Sequence, residues 1–372
     1  MSRRLVRNQA GWRRVFFTDQ GMKVLFGIQG TGNGHISRCR ELLKYLLKRA
    51  EVDVLVSGYH HEVDLGFEVK YKLPGLGFTF GKRGGIDYWS SIKNFSPYKL
   101  LSDIYKIPVD KYDLVVSDFE PITAWSSKLR GAPSVSLSHQ AAFLSPNIPR
   151  PKQKNRLQEL IIKWYSPSPS HIGLHFQEYD DFIFTPIIRE EIRNSDVTNR
   201  GHYTVYLPSY DYSFLSGLFR KIDVKWEVFS KHHKGEPYKD SNVTVYPVNN
   251  GEFVRSLSGC EGILCNAGFE TPAETLYLGK KLMVVPMRRQ YEQQCNAEAL
   301  ERLGVPVVRD MGQGFENKLS DWLNSNFVYN ANYKNNLTLI VERILDCSDK
   351  SEALNDFIPE QDFNKNGAGG AD

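Results

Sequence analysis

The chain has 372 residues, 41% hydrophobic and 24% charged, with 47 Lys and Arg against 43 Asp and Glu. That length and balance describe a soluble globular protein of about two domains and exclude global disorder, collagen and coiled coil. No run reaches the roughly 18–20 apolar residues of a membrane-spanning helix. The formal charge of +4 lies in residues 1–21, where Arg3, Arg4, Arg7, Arg13 and Arg14 face Asp19 alone. The balanced remainder gives no electrostatic reason to bind nucleic acid.

Val15-Phe16-Phe17 is too short for the apolar core of a signal peptide, and the arginines lack the Ser-rich setting of an organelle presequence. Residues 1–21 are therefore expected to be a disordered leader, with folding from Met22. The five cysteines are scattered, without a CxxC pair. They point to packing in a reducing, cytoplasmic compartment, not to disulfides or zinc.

Apolar runs at 23–29, 52–57, 67–73, 112–117, 133–138 and 181–185 predict strands. A helix is predicted over 36–49, with Leu42, Leu43, Leu46 and Leu47 on one side. A polar stretch near 187–201 marks a boundary. The pattern then restarts with strands at 203–207, 224–229, 243–247, 262–265, 282–286 and 305–308, and helices at 272–278 and 292–303. Strand–helix alternation of this kind predicts an α/β chain of two facing doubly wound, Rossmann-like domains, 22–190 and 201–348, with a ligand cleft between them. The tail 349–372 is expected to be disordered.

The first strand runs into Gly30-Thr31-Gly32-Asn33-Gly34-His35. Glycines at such a turn admit a ligand to the backbone, and the following helix offers free N–H groups. A dinucleotide fingerprint needs Gly where His35 stands, and a P-loop needs Lys where Asn33 stands. What remains is a turn that delivers an imidazole to a strand end, the natural general base near neutral pH. Asp118, closing the run Val115-Val116-Ser117-Asp118 on the same rim, is its candidate partner, and His139 after 133–138 is a candidate for the acceptor side.

In the second half, strand 262–265 ends in Asn266-Ala267-Gly268-Phe269-Glu270-Thr271-Pro272-Ala273-Glu274. Thr271, Pro272 and Glu274 fit a capping box at a helix start. Glu274 is then either a cap or a planar carboxylate for a ribose diol. Further on come Glu292-Gln293-Gln294-Cys295-Asn296-Ala297.

This segment resembles the donor-binding signature of GT-B glycosyltransferases, the group of UDP-glycosyltransferases and MurG-like enzymes, which reads roughly HCGWNSxxE and then DQxxNA. The Gly34-His35 element resembles the family's N-terminal GH, and the likeness spans about 22–310 in family order. The resemblance implies a metal-independent, cofactor-free inverting transfer from a nucleoside-diphosphate sugar, UDP-linked, to an acceptor hydroxyl, as in glycan, cell-envelope or glycolipid synthesis. It implies His35 as base, with Asp118 as its partner. Gly32, Gly34, Asn266, Gly268, Phe269 and Thr271 would lie at the donor diphosphate, Glu274 at the ribose, and Glu292 and Gln293 at the sugar.

The family's phosphate-binding His is Asn266 here, and its Trp and Asn are Phe269 and Glu270. Arg288 or Arg289 is a candidate to supply the missing charge. A hydrolysing nucleotide-sugar 2-epimerase and a non-catalytic nucleotide-sugar-binding subunit are the alternatives. Residues 150–165 alternate Arg150, Lys152, Lys154, Arg156 and Lys163 with Leu160, Ile161, Ile162, Trp164 and Tyr165. Such a stretch suits peripheral contact with the inner membrane face, or a helix covering the cleft.

Overall fold

The computed structural model describes residues 2–8, 11–17, 21–58, 64–75, 79–80, 86–87, 96–153, 155–208, 210–288, 290–312 and 314–348. Within the expected leader, β1 (Ser2–Asn8) and β2 (Gly11–Phe17) pair antiparallel. A hairpin thus stands where the sequence predicts an unstructured arm, and apolar β-formers such as Val6 and Val15-Phe16-Phe17 suit it. The tail from 349 lies outside the described residues.

The first sheet begins with β3 (Lys23–Gln29), whose residues after Lys23 are all buried. Burial on both faces is what a parallel central strand requires. Val24, Phe26 and Ile28 join one core, while Leu25 joins the core on the opposite face. The sheet continues with β4 (Glu51–Ser57) and β5 (Tyr71–Leu73). A short antiparallel pair, β6 (Thr79–Phe80) and β7 (Ile86–Asp87), stands apart from it. Then come β8 (Leu114–Asp118), β9 (Ser134–Ser138), β10 (Ser170–Leu174) and β11 (Ile183–Phe184). The seven strands run in the order β11-β10-β9-β8-β3-β4-β5, and every pair is parallel. Helices α1 (Asn33–Leu46), α2 (Pro97–Lys106), α3 (Pro121–Arg130), α4 (His139–Ala142) and α5 (Arg156–Tyr165) accompany it. Gly27 lets α3 approach β3, since a Cβ there would lie 2.2 Å from Thr123 Oγ1.

The linker carries α6 (Glu190–Arg193). The second sheet comprises β12 (His202–Tyr206), β13 (Lys225–Ser230), β14 (Tyr238–Asp240), β15 (Val243–Pro247), β16 (Gly262–Asn266) and β17 (Lys281–Val285). Its order is β14-β15-β13-β12-β16-β17, parallel except for the edge strand β14. Its helices are α7 (Tyr212–Phe219), α8 (Asn250–Gly259), α9 (Glu270–Tyr277), α10 (Tyr291–Arg302) and α11 (Phe315–Asn324). The last helix, α12 (Leu337–Leu345), returns to pack on α1 and β10. The expected pair of doubly wound sheets is therefore present. Of the predicted strand 305–308, only a bridge from Val307 to Val284 forms.

Candidate functional site

Both sheets change winding direction at one point, and ligands of such sheets bind beyond the strand ends there. In the first sheet the point lies between β3 and β8, in the second between β12 and β16. The first gap sets the start of α1 beside Asp118. The second sets the turn 266–269, and so the start of α9. The two glycine turns meet across the domains: a Cβ on Gly34 would lie 3.0 Å from Glu270 Cγ. At Gly32 and Gly268 a Cβ would meet nothing within 4 Å. The Gly32 position, in extended backbone, is the N-cap of α1.

His35 Nδ1 lies 3.1 Å from Asp118 Oδ1. The Asp118 side chain is fully buried and that of His35 is 17% exposed. With Nδ1–H donating to the carboxylate, Nε2 is the nitrogen with a lone pair to offer. Immediately after Asp118, Phe119 adopts φ +51, a left-handed conformation that a bulky residue rarely takes. Its ring stacks on Tyr165 with centroids 4.6 Å apart.

Arg38, one helical turn after His35, was not among the residues expected from the sequence. Its Nη2 donates to Asp118 Oδ1 at 2.7 Å and Oδ2 at 3.0 Å. Its Nη1 pairs with Glu270 of the other domain. Cys39 Sγ also donates to Asp118 Oδ2, at 2.8 Å. Burial alone would raise the Asp118 carboxyl, but Arg38 and then His35 outweigh it and hold it down at about 2. Burial pushes Glu270 up to about 7 against the pull of Arg38, with Glu274 adding to the rise. The Cys39 thiol is pushed well up by burial and by Asp118. Glu270, which would repel a diphosphate if aimed at it, is thus turned toward a cation.

The capping box does not form. Helix α9 starts at Glu270, with Phe269 as N-cap and no side-chain cap. Thr271 and Pro272 therefore lie inside the first turn. Glu274, 3% exposed at its side chain, pairs instead with Arg189 of the linker. Arg189 Nε reaches Oε1 at 2.5 Å and Nη2 reaches Oε2 at 2.8 Å. A ribose diol would have to share that carboxylate with the arginine.

His139 is not where an acceptor could meet it. It is 1% exposed. Its Nδ1 lies 2.8 Å from Leu174 O, its Nε2 lies 2.8 Å from Asn296 Oδ1, and its ring stacks on Phe269 at 4.0 Å. The sequence places it on the correct rim but gives no sign that the second domain covers it. Asn266 Nδ2 donates to Val285 O at 2.8 Å. Gln293 Oε1 accepts from Met287 N at 2.9 Å, and Glu292 Oε2 accepts from Gln140 Nε2 at 2.9 Å. Arg288 is exposed and paired with Asp310 at 2.8 Å, so it is not turned to the cleft charges; Arg289 lies outside the described residues.

A family model described as glycosyl transferase family 1 matches residues 22–326. Among solved structures, the glycotransferase of kitacinnamycin matches at 14% identity over 91% of this chain and 100% of that one, TM-score 0.54. A UDP-glucosyltransferase from Polygonum tinctorium capable of glucosylating indoxyl matches at 13% over 92% and 95%, TM-score 0.54. MurG from Acinetobacter baumannii matches at 14% over 91% and 100%, TM-score 0.50. Identities this low carry the fold alone, which is the two-domain GT-B architecture. A comparison with curated proteins finds no match.

Proposed function

The chain belongs to glycosyl transferase family 1, and on that premise we propose an inverting transfer from a UDP-linked sugar to an acceptor hydroxyl, without a metal. The observation that carries this reading is His35, oriented through Nδ1 by buried Asp118 and next in sequence to Gly34, which abuts Glu270 at the start of α9. Nε2 takes the acceptor proton as its oxygen attacks the anomeric carbon. The bond from that carbon to the diphosphate breaks, and the departing charge meets backbone N–H groups of the turn 268–271.

The test combines binding and turnover. UDP raises the melting midpoint of the wild-type protein while NAD does not. His35→Ala keeps that shift and loses at least about a hundredfold in transfer or donor hydrolysis. Wild-type turnover by this variant would defeat the base assignment. A second reading, a subunit that binds the nucleotide sugar without turning it over, draws on Asn266, an uncharged residue whose Nδ2 donates to Val285 O. It predicts the UDP shift with no turnover in the wild type.

The acceptor side of the proposal rests on α5. None of its residues is buried. Leu157, Leu160, Ile161 and Trp164 are exposed at helical spacing, and Lys128 lies 4.5 Å over the Trp164 ring. Tyr98, Leu101 and Tyr105 form a similar exposed stripe on α2, which packs on α3. Apolar stripes among lysines suit an anionic lipid surface carrying the acceptor, at the inner membrane face. No helix among the described residues is long and apolar enough to cross a membrane.

A further inference from the structure

Arg38 joins three groups that the proposed chemistry treats separately. Its side chain is 3% exposed. One nitrogen, Nη2, holds both oxygens of Asp118 and lies 3.1 Å from His35 Nδ1. The guanidinium is a donor only, and Nδ1 must donate to the same carboxylate, so the two cannot bond each other. They compete for Asp118. The other nitrogen, Nη1, is drawn to Glu270, a residue of the opposite domain. Nε is buried with no hydrogen-bond partner, so Asp118 and Glu270 are the carboxylates that hold the guanidinium.

We propose that Arg38 is a positioning residue that carries the docking of the second domain to His35. With Glu270 in place, part of the guanidinium charge is met from across the cleft, and Asp118 is left to orient Nδ1–H and to stabilise the imidazolium. With Glu270 withdrawn or neutral, Arg38 falls wholly on Asp118, and less of that carboxylate's charge is left for the ring. His35 is then a weaker base. The base therefore reaches full strength only when the two domains are together. Among the described residues, the groups around it are Asp118 with the neutral Cys39 thiol on one side, Arg38 and Glu270 on the other, and the Glu274–Arg189 pair behind Glu270.

This inference deepens the base assignment and rests on it, but its test does not depend on turnover. The readout is the NMR titration of the His35 imidazole in the full chain, assigned with His35→Gln. Glu270→Gln keeps the Arg38–Asp118 pair and is expected to lower the His35 midpoint by about half a unit or more. Arg38→Gln is expected to raise it by about one unit, and to abolish any further effect of Glu270→Gln. Arg38→Lys, which keeps the charge, restores sensitivity to Glu270→Gln. An unchanged midpoint in Glu270→Gln, or an equal shift with and without Arg38, overturns the proposal. If Arg38→Gln does not fold, Arg38→Met takes its place, because Glu270→Gln alone would also report a direct effect of Glu270 on the ring. Shifts as expected, with wild-type turnover in His35→Ala, would keep the coupling and remove the base role.

Discussion

Asp118 has more partners than a histidine's orienting carboxylate needs. His35, Arg38 and Cys39 all reach it, and it is fully buried. A carboxyl held at about 2 binds fewer protons in the folded than in the unfolded chain, whose value is near 4. Its contribution is therefore present above pH ~4 and is lost as pH falls through about 2. Asp118→Asn should lower unfolding free energy at pH 7 by about 2–3 kcal/mol and flatten the acid limb of a urea-denaturation series. An acid limb as steep as in the wild type would show that other carboxylates control it. The His35–Asp118 pair is legible in the sequence because His35 opens the helix that follows β3 and Asp118 ends β8, the parallel strand beside it. Arg38 is not, because a polar residue three places along a helix reads as solvated until the opposite domain is known. Glu274 misleads for a related reason. Its spacing fits a cap, yet the helix begins at Glu270 and the carboxylate meets an arginine 85 positions earlier.

At the scale of elements, the strands are legible where β-formers are dense and obscure where they are not. Strand β10, Ser170–Leu174, escapes a sequence reading because it contains Ser, His and Gly. Its glycine has a packing reason: a Cβ on Gly173 would lie 2.8 Å from Ala142 Cα, so α4 rests directly on the strand. Helix α5 is amphipathic, as its sequence suggests, and α2 carries a second exposed apolar stripe. Co-sedimentation with phosphatidylglycerol vesicles should exceed that with phosphatidylcholine, and Ile161→Glu with Trp164→Glu should weaken it at least about tenfold. Equal binding to both vesicles, or none, would remove the membrane from the proposal. The α5 helix also touches the second domain, through Gln158 and Glu159 to Tyr291. The proposed lipid contact and the contact between the domains would therefore share one helix.

Across the whole molecule, the two sheets are less separate than their sequence order implies. One apolar core holds Phe26 and Leu43 of the first half together with Ile263 and Leu276 of the second. The boundary near 187–201 is legible as a polar stretch. Its Arg189, Glu190 and Glu191, which reach Glu274, Lys44 and Arg40, are not. Helix α12 extends this interdependence in time. Leu337, Ile340, Val341 and Ile344 are buried in the core that also contains Leu42 and Leu46 of α1, and Asn335 bonds Tyr45 OH at 3.3 Å. During synthesis α1 leaves the ribosome some three hundred residues before the helix that covers it. The first half must wait, with an apolar face open, for a late segment whose burial contributes on the order of 6 kcal/mol. A chain ending at Asn336 should therefore stall as an aggregating nascent species and be rescued by α12 supplied as a separate peptide. Soluble, cooperatively melting material without α12 would show that the early half matures unaided.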